Sequence, residues 1–286
     1  MSIKIITDSG ADLPKSYYSE YEIDMVPLNV HLNEKDYEDG VTIESKSVYD
    51  AMREGAVPKT SQPSPEAFMK TFSTYVERGL PCLYIGFSSQ LSGTFQSATI
   101  ARQQILESHP NAQIHLVDSK SASMGLGFIV LKAAELAKQG ASMDEIVKAA
   151  EFYANHMEHI VTVDNLEYLL RGGRLSRTSA IVGGLLNIKP ILIIEEGKLI
   201  PHEKIRGTKK VYKRMVEITG ERAKEISKQT VIIGHADAPD SVKKLESLIQ
   251  DTLNPQEIAI HDVGSAIGAH AGPGALAIFF LNDLYE

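Results

Sequence analysis

Short apolar runs alternate along the first half of the chain with stretches in which apolar residues recur at helical spacing. SIKIIT, ending at Thr7, reads as a strand, and DSGADLP reads as the turn behind it. IDMVPLNVHL, from Ile23, reads as a second extended segment. KTSQPSP, from Lys59, is turn-like and leads into a helix from about Ser64 to Arg78. CLYIGF at Cys82 is a strand, SGTFQSATIARQQILESH a helix, and QIHLVD a strand. SKSASMGLG then opens an apolar helix to about Gln139. Ser142 and Glu145 have the spacing of a capping box for one more helix.

The second half has a different pattern. IVTV is a strand and DNLEYLLRGGRL a short helical stretch. PILIIEEGKLIPHEKI reads as a β-hairpin with Gly197 in its turn. A basic helix spans about Thr208 to Ser227. TVIIGH, EIAIHDV and ALAIFFL are three more strands, with a helix after Asp237. The fold class is therefore α/β, with a parallel-sheet, Rossmann-like domain at residues 1–157 and a mixed α/β domain at 158–286.

Composition narrows the classes of function. The chain has 286 residues, enough for two cores, and a formal net charge of −8. That balance argues against a nucleic-acid partner or a nonspecific hold on anionic membrane. One cysteine, Cys82, cannot form an internal disulfide, so a cytoplasmic setting is expected; at a strand start it reads as a small buried residue. The N-terminus does not read as a secretion signal, and no apolar run has the length of a membrane span.

The candidate chemistry lies in four hydroxyl-rich loops: TDSG, KTSQPS, SSQLSGT and DSKSAS. Each falls where a helix can begin, and ligands of open parallel sheets sit at the carboxyl ends of the strands. Ser, Thr and Asp there cap helices, and the same free amides can hold an anion. No nucleotide-binding glycine loop is complete. Neutral hydroxyls with no nearby lysine suit one carboxylate better than several phosphates.

The segments TDSGADLP, KTSQPSP, SSQLSGTFQSA, LRGGRLS, IRGTKK and HAGPGALAI, in that order, span the chain from first strand to last. In these the sequence resembles the DegV family, the fatty-acid-binding proteins that serve as acyl-binding subunits of bacterial fatty acid kinase. The resemblance implies one long-chain fatty acid in an apolar tunnel between two domains, and no other cofactor. It implies a carboxylate held by Thr60 and Ser92 with the Gly93 amide alongside and His270 near. It also implies docking of an ATP-dependent kinase subunit through Arg206. The protein itself would not be an enzyme: the partner would form the acyl phosphate, which this chain would then carry.

Other residues carry weaker expectations. Asp8, Ser9, Ser61 and Ser89 are possible site lining. Arg206 belongs to a basic face with Lys204, Lys209, Lys210, Lys213 and Arg214. Arg171 and Arg174 read as closing a helix. His156 and His159 have a metal-like spacing without a third ligand, so no metal is expected. Two other functions compete. One is a serine hydrolase or acyltransferase using Ser92 and His270, although SQLSGT is not a GxSxG elbow. The other is a lipid-sensing regulator.

Overall fold

The computed structural model describes residues 3–175 and 188–285; Ser176, the end of the LRGGRLS segment, lies outside them. The first part runs β1 (Lys4–Asp8), α1 (Lys15–Glu20), β2 (Ile23–Val26), β3 (Asn29–Leu32), β4 (Lys35–Glu38), α2 (Ser45–Arg53) and β5 (Lys59–Ser61). It continues with α3 (Pro65–Val76), β6 (Cys82–Gly86), α4 (Thr94–Ser108), β7 (Ile114–Asp118), α5 (Met124–Lys138) and α6 (Met143–His156). The second runs β8 (Met157–Thr162), α7 (Glu167–Arg171), β9 (Ile188–Glu195), β10 (Lys198–Arg206) and α8 (Thr208–Arg222). It ends with β11 (Thr230–His235), α9 (Pro239–Leu253), β12 (Glu257–Asp262), α10 (Ser265–Ala271) and β13 (Leu276–Leu281).

Strands β2-β1-β6-β7 form a parallel sheet. Its side chains alternate between two covers, as the pleat requires. Ile6 and Tyr84 pack with Phe68 and Phe72 of α3 and Ala98 of α4. Their neighbours Ile5, Leu83 and Ile85 pack with Ile129 of α5 and Ile146 of α6. The expected helix starts hold: Ser64 accepts from the Ala67 amide, and Ser142 with Glu145 forms a complete capping box.

The extended segment read over IDMVPLNVHL divides at Pro27. Proline has no amide hydrogen for the ladder, so β2 stops there. The chain then enters a separate antiparallel sheet, β4-β3-β5. Its hairpin turns on Asn33 and Glu34, both at positive φ (51° and 62°). Strands β4 and β5 have no strong periodic signal in the sequence, because β4 is largely exposed and β5 has three residues; helix α2, which buries Val48, Tyr49 and Met52 on one face, lies beyond the elements expected from the sequence.

The second sheet has the mixed order β10-β9-β8-β13-β11-β12. The β9–β10 hairpin forms with a two-residue turn at Glu196 and Gly197, at φ 46° and 78°, as the primed turns of tight hairpins require. One face, with Ile160, Ile278 and Phe280, packs on α8 and α9. The other, with Val161, Ala277 and Phe279, turns toward the parallel sheet. The basic helix ends at Arg222, five residues before the expected Ser227; Lys224 has left the helix and donates its amide to Leu281. Among the described residues, no helix is long and apolar enough to cross a membrane.

Candidate ligand-binding site

A cavity lies between the carboxyl ends of the parallel strands and the inner face of the second sheet. It holds about 930 Å³ of empty space, its mouth included. Four short side chains in the wall around α10 and β13, Ala266, Ala271, Ala275 and Ala277, help to leave it open. Phe87, Leu91, Val161, Val163 and Phe279 complete an almost wholly apolar lining. Side chains this small leave the space between the two sheets unfilled.

Thr60, Ser61, Gln62, Ser92, Arg174 and His270 gather at one end. Thr60, on the last strand of the small sheet, places Oγ1 2.6 Å from His270 Nε2 on α10. These residues are 210 apart in sequence, and only the folding of the small sheet against α10 joins them. Ser92 stands just before α4, where its Oγ accepts from the Thr94 amide and bonds the Thr94 hydroxyl at 2.8 Å. Ser61 and Gln62 also line this end.

Arg174 completes the cluster, beyond the helix-closing role that its place in RGGR favours. Its Nε donates to the Leu91 carbonyl at 3.0 Å and its Nη1 to that of Gly172 at 2.6 Å. It thereby ties the Ser92 loop to the RGG turn and lines the cavity itself. Among the described residues, these two bonds leave three of the guanidinium's five N–H groups for a ligand. The expectation of a site without formal charge is corrected here: a half-buried arginine sits beside the hydroxyls. The spacing of RGGR carried the only sequence signal.

Burial pushes the His270 imidazole down to about 4, and the nearby Arg174 charge acts in the same direction. His270 is therefore neutral near pH 7. Arg174 also has its pKa lowered by burial but remains a cation. Gly172 makes the arrangement possible. A Cβ there would lie 2.1 Å from His270 Nδ1.

The remaining sequence candidates fall elsewhere. Gly93 is the exposed cap of α4 and is not a lining residue; a Cβ there would meet Gln62. Asp8 is buried and holds the parallel sheet's edge together, accepting from Tyr84 Oη and the Phe87 and Gly10 amides. Ser9 accepts from the Leu28 amide and lines a second, more polar recess with Asp12, Asp39 and Ser265. Ser89 is exposed and gives its amide to Asp118. Arg206 is exposed at the end of β10, away from the cavity lining. In the basic face beside it, Arg214 is paired to Glu203 and Glu221 and Lys213 to Glu217.

The same geometry bears on the other readings. Ser92 Oγ bonds Thr94, whereas His270 bonds Thr60 and turns Nδ1 toward Gly172. No nucleophile–base–acid relay links Ser92 and His270. His156 bonds Asn282, and no group of three possible metal ligands occurs among the described residues. Cys82 is buried as expected, and burial pushes its thiol up to about 12.

Known proteins share this plan over almost its full length. A DegV domain-containing protein of Clostridium perfringens is 40% identical over 285 residues, 99% of this chain and 98% of its own. A structure reporting fatty acid binding by a DegV family protein from Thermus thermophilus superposes with TM-score 0.89 at 32% identity, covering 98% of this chain and 99% of that one. DegV from Bacillus subtilis, described as a fatty acid binding protein, superposes with TM-score 0.83 at 33% identity, covering 98% of both chains. The family model, described as an uncharacterised DegV family, matches residues 2–283. With the ordered motifs, both sheets and nearly every residue inside that match, the chain belongs to the DegV family.

Proposed function

We infer that this protein binds one long-chain fatty acid, tail in the cavity and carboxylate at Thr60, Ser92, Arg174 and His270. The observation that carries this reading is the division of the cavity into an apolar body and one polar end. Each buried methylene contributes about 0.8 kcal/mol, so the tail supplies most of the affinity. The polar end fixes orientation and leaves the carboxylate near the surface. The solved relatives described as fatty acid binding support the same ligand class.

The chain acts as a cytoplasmic carrier without catalysis of its own, its two domains, residues 1–157 and 158–286, enclosing the ligand. A partner ATP-dependent kinase docks near Arg206, phosphorylates the carboxylate, and leaves this protein holding the acyl phosphate. The exposure of Arg206 and of the α8 residues Lys209 and Lys210 supports such docking.

The test is mass spectrometry of the organic extract after denaturing protein purified without added lipid. A near-stoichiometric long-chain fatty acid is expected. An empty extract, together with no binding of added fatty acids, would overturn the reading. With a fatty acid kinase and ATP, Arg206→Ala should weaken docking and slow acyl phosphate formation. Unchanged kinetics would remove Arg206 from the interface.

A further inference from the structure

His159 lies at the end of the cavity away from the polar cluster. Its strand β8 runs toward α7 and Arg174, and the cavity-facing positions alternate as His159, Val161 and Val163. Val163, just past the end of β8, is four residue steps from His159, about 13 Å at roughly 3.3 Å each. His159 therefore meets a ligand well along its tail. The wall around it is apolar on the sheet side, where Phe279 packs edge-on against the ring at 5.2 Å. Across from it, Ala122 and Ser123 lead into α5.

The ring is 1% exposed, and neither nitrogen has a hydrogen-bond partner. Backbone groups of Met157 and Ala122 are close enough to favour the charged ring slightly, but neither meets hydrogen-bond geometry. Burial dominates and pushes the imidazole down to about 4, so the ring is neutral. A neutral imidazole presents one donor and one acceptor, and burying both without partners is costly. A leucine or phenylalanine would fill the position without that cost. Helix α5 is also shaped around the ring: a Cβ at Gly125 would lie 2.3 Å from Nε2.

An unpaired donor and acceptor in the wall of an apolar cavity match a ligand that carries a polar group at that depth. A hydroxyl suits either tautomer of the ring, because it donates to a bare nitrogen or accepts from an N–H; Nε2 lies against Gly125, so Nδ1 is the atom it would meet. In a wholly apolar tunnel, the same hydroxyl would be buried unsatisfied and rejected.

We propose that His159 is a second polar subsite, which accepts a hydroxyl borne on the middle of the acyl chain and admits hydroxylated long-chain fatty acids as ligands. This rests on the fatty-acid reading above and adds a chemical class to it. His159 acts as a specificity residue, deciding which tails fit, and Thr60, Ser92 and Arg174 still hold the carboxylate.

The experiment measures affinities of the delipidated full chain for stearate and for monohydroxystearates with the hydroxyl at successive mid-chain carbons. It is repeated with His159→Phe and His159→Gln. In the unaltered protein, one or two adjacent isomers should bind at least as tightly as stearate. In His159→Phe the affinity ratio of that isomer to stearate should fall about tenfold, the scale of one buried hydrogen bond. His159→Gln, which keeps a donor and an acceptor, should retain part of the ratio. If every isomer binds more weakly than stearate and the ratios do not change in either variant, the subsite does not exist. If stearate itself does not bind, the fatty-acid reading fails instead. A variant that binds no ligand has lost its fold, and the other variant then decides.

Discussion

Gly172→Ala tests how the polar end is assembled. Gly172 has φ −70° and ψ −12°, a conformation that alanine adopts freely, so the backbone resists nothing. The added methyl meets His270 Nδ1 at 2.1 Å and Cε1 at 2.9 Å. Ordinary contact needs about 3.5 Å, so the ring must retreat by roughly 1.4 Å. Its 2.6 Å bond to Thr60 cannot survive that displacement. Overpacking costs about 1–3 kcal/mol, and a buried ring left unpaired adds on the order of 1 kcal/mol. The expected loss is therefore about 2–4 kcal/mol, read by urea denaturation of the delipidated protein, with weaker fatty-acid binding alongside. Two comparisons isolate the cause. Gly173 has φ 71° and open space around its Cβ position, so Gly173→Ala should cost about 1 kcal/mol through the backbone alone and leave His270 in place. In a His270→Ala background the clash partner is gone, so Gly172→Ala should then cost almost nothing. Additive costs in that double-mutant cycle would refute the reasoning.

Arg174→Met should reduce affinity for a fatty acid about tenfold or more and leave the alcohol of equal chain length little changed; equal losses for both would remove Arg174 from carboxylate recognition. Ala277→Phe, in the cavity wall, should weaken long-chain ligands more than medium-chain ones in a competition assay, and a uniform effect would place the tail elsewhere. His159 is pushed down from 6.5 to about 4, so between those values the unfolded chain binds more protons than the folded one. Its contribution is therefore lost as pH falls through that window, by about 2 kcal/mol between roughly pH 7.5 and pH 5. Asp8, raised from 3.8 to about 6 mainly by burial, acts oppositely: its contribution is full below 3.8 and is lost as pH rises through about 6. Urea titrations at the two pH values should show His159→Phe losing less stability than the unaltered protein on acidification, and equal losses would mean the ring is not held neutral.

The order of apolar runs determined the parallel sheet, because the central strands β1 and β6 are buried on both faces and need no alternation to be legible. Helix starts were equally local: Ser64, Ser142 and Glu145 carry their own capping geometry within four residues. The hairpin turn at Glu196–Gly197 was read for the same reason. The loops that bear Thr60 and Ser92 were legible as motifs, since short hydroxyl-rich segments keep their order whatever surrounds them. What the sequence could not give was any property that depends on who meets whom across the fold. Arg174 looks like a helix-closing residue until α7 and the Ser92 loop bring its guanidinium into the cavity. Strands β4 and β5 of the small sheet were invisible, because β4 is largely exposed and β5 has three residues. Nothing local marks Ala266, Ala277 or His159 as lining a cavity. Whether an alanine leaves a void, and whether a buried imidazole finds a partner, depends on the side chains opposite, and those come from residues scores of positions away. Local patterning chose the elements of this protein; the space between two sheets, set by packing, decided where a ligand fits and which polar groups await it.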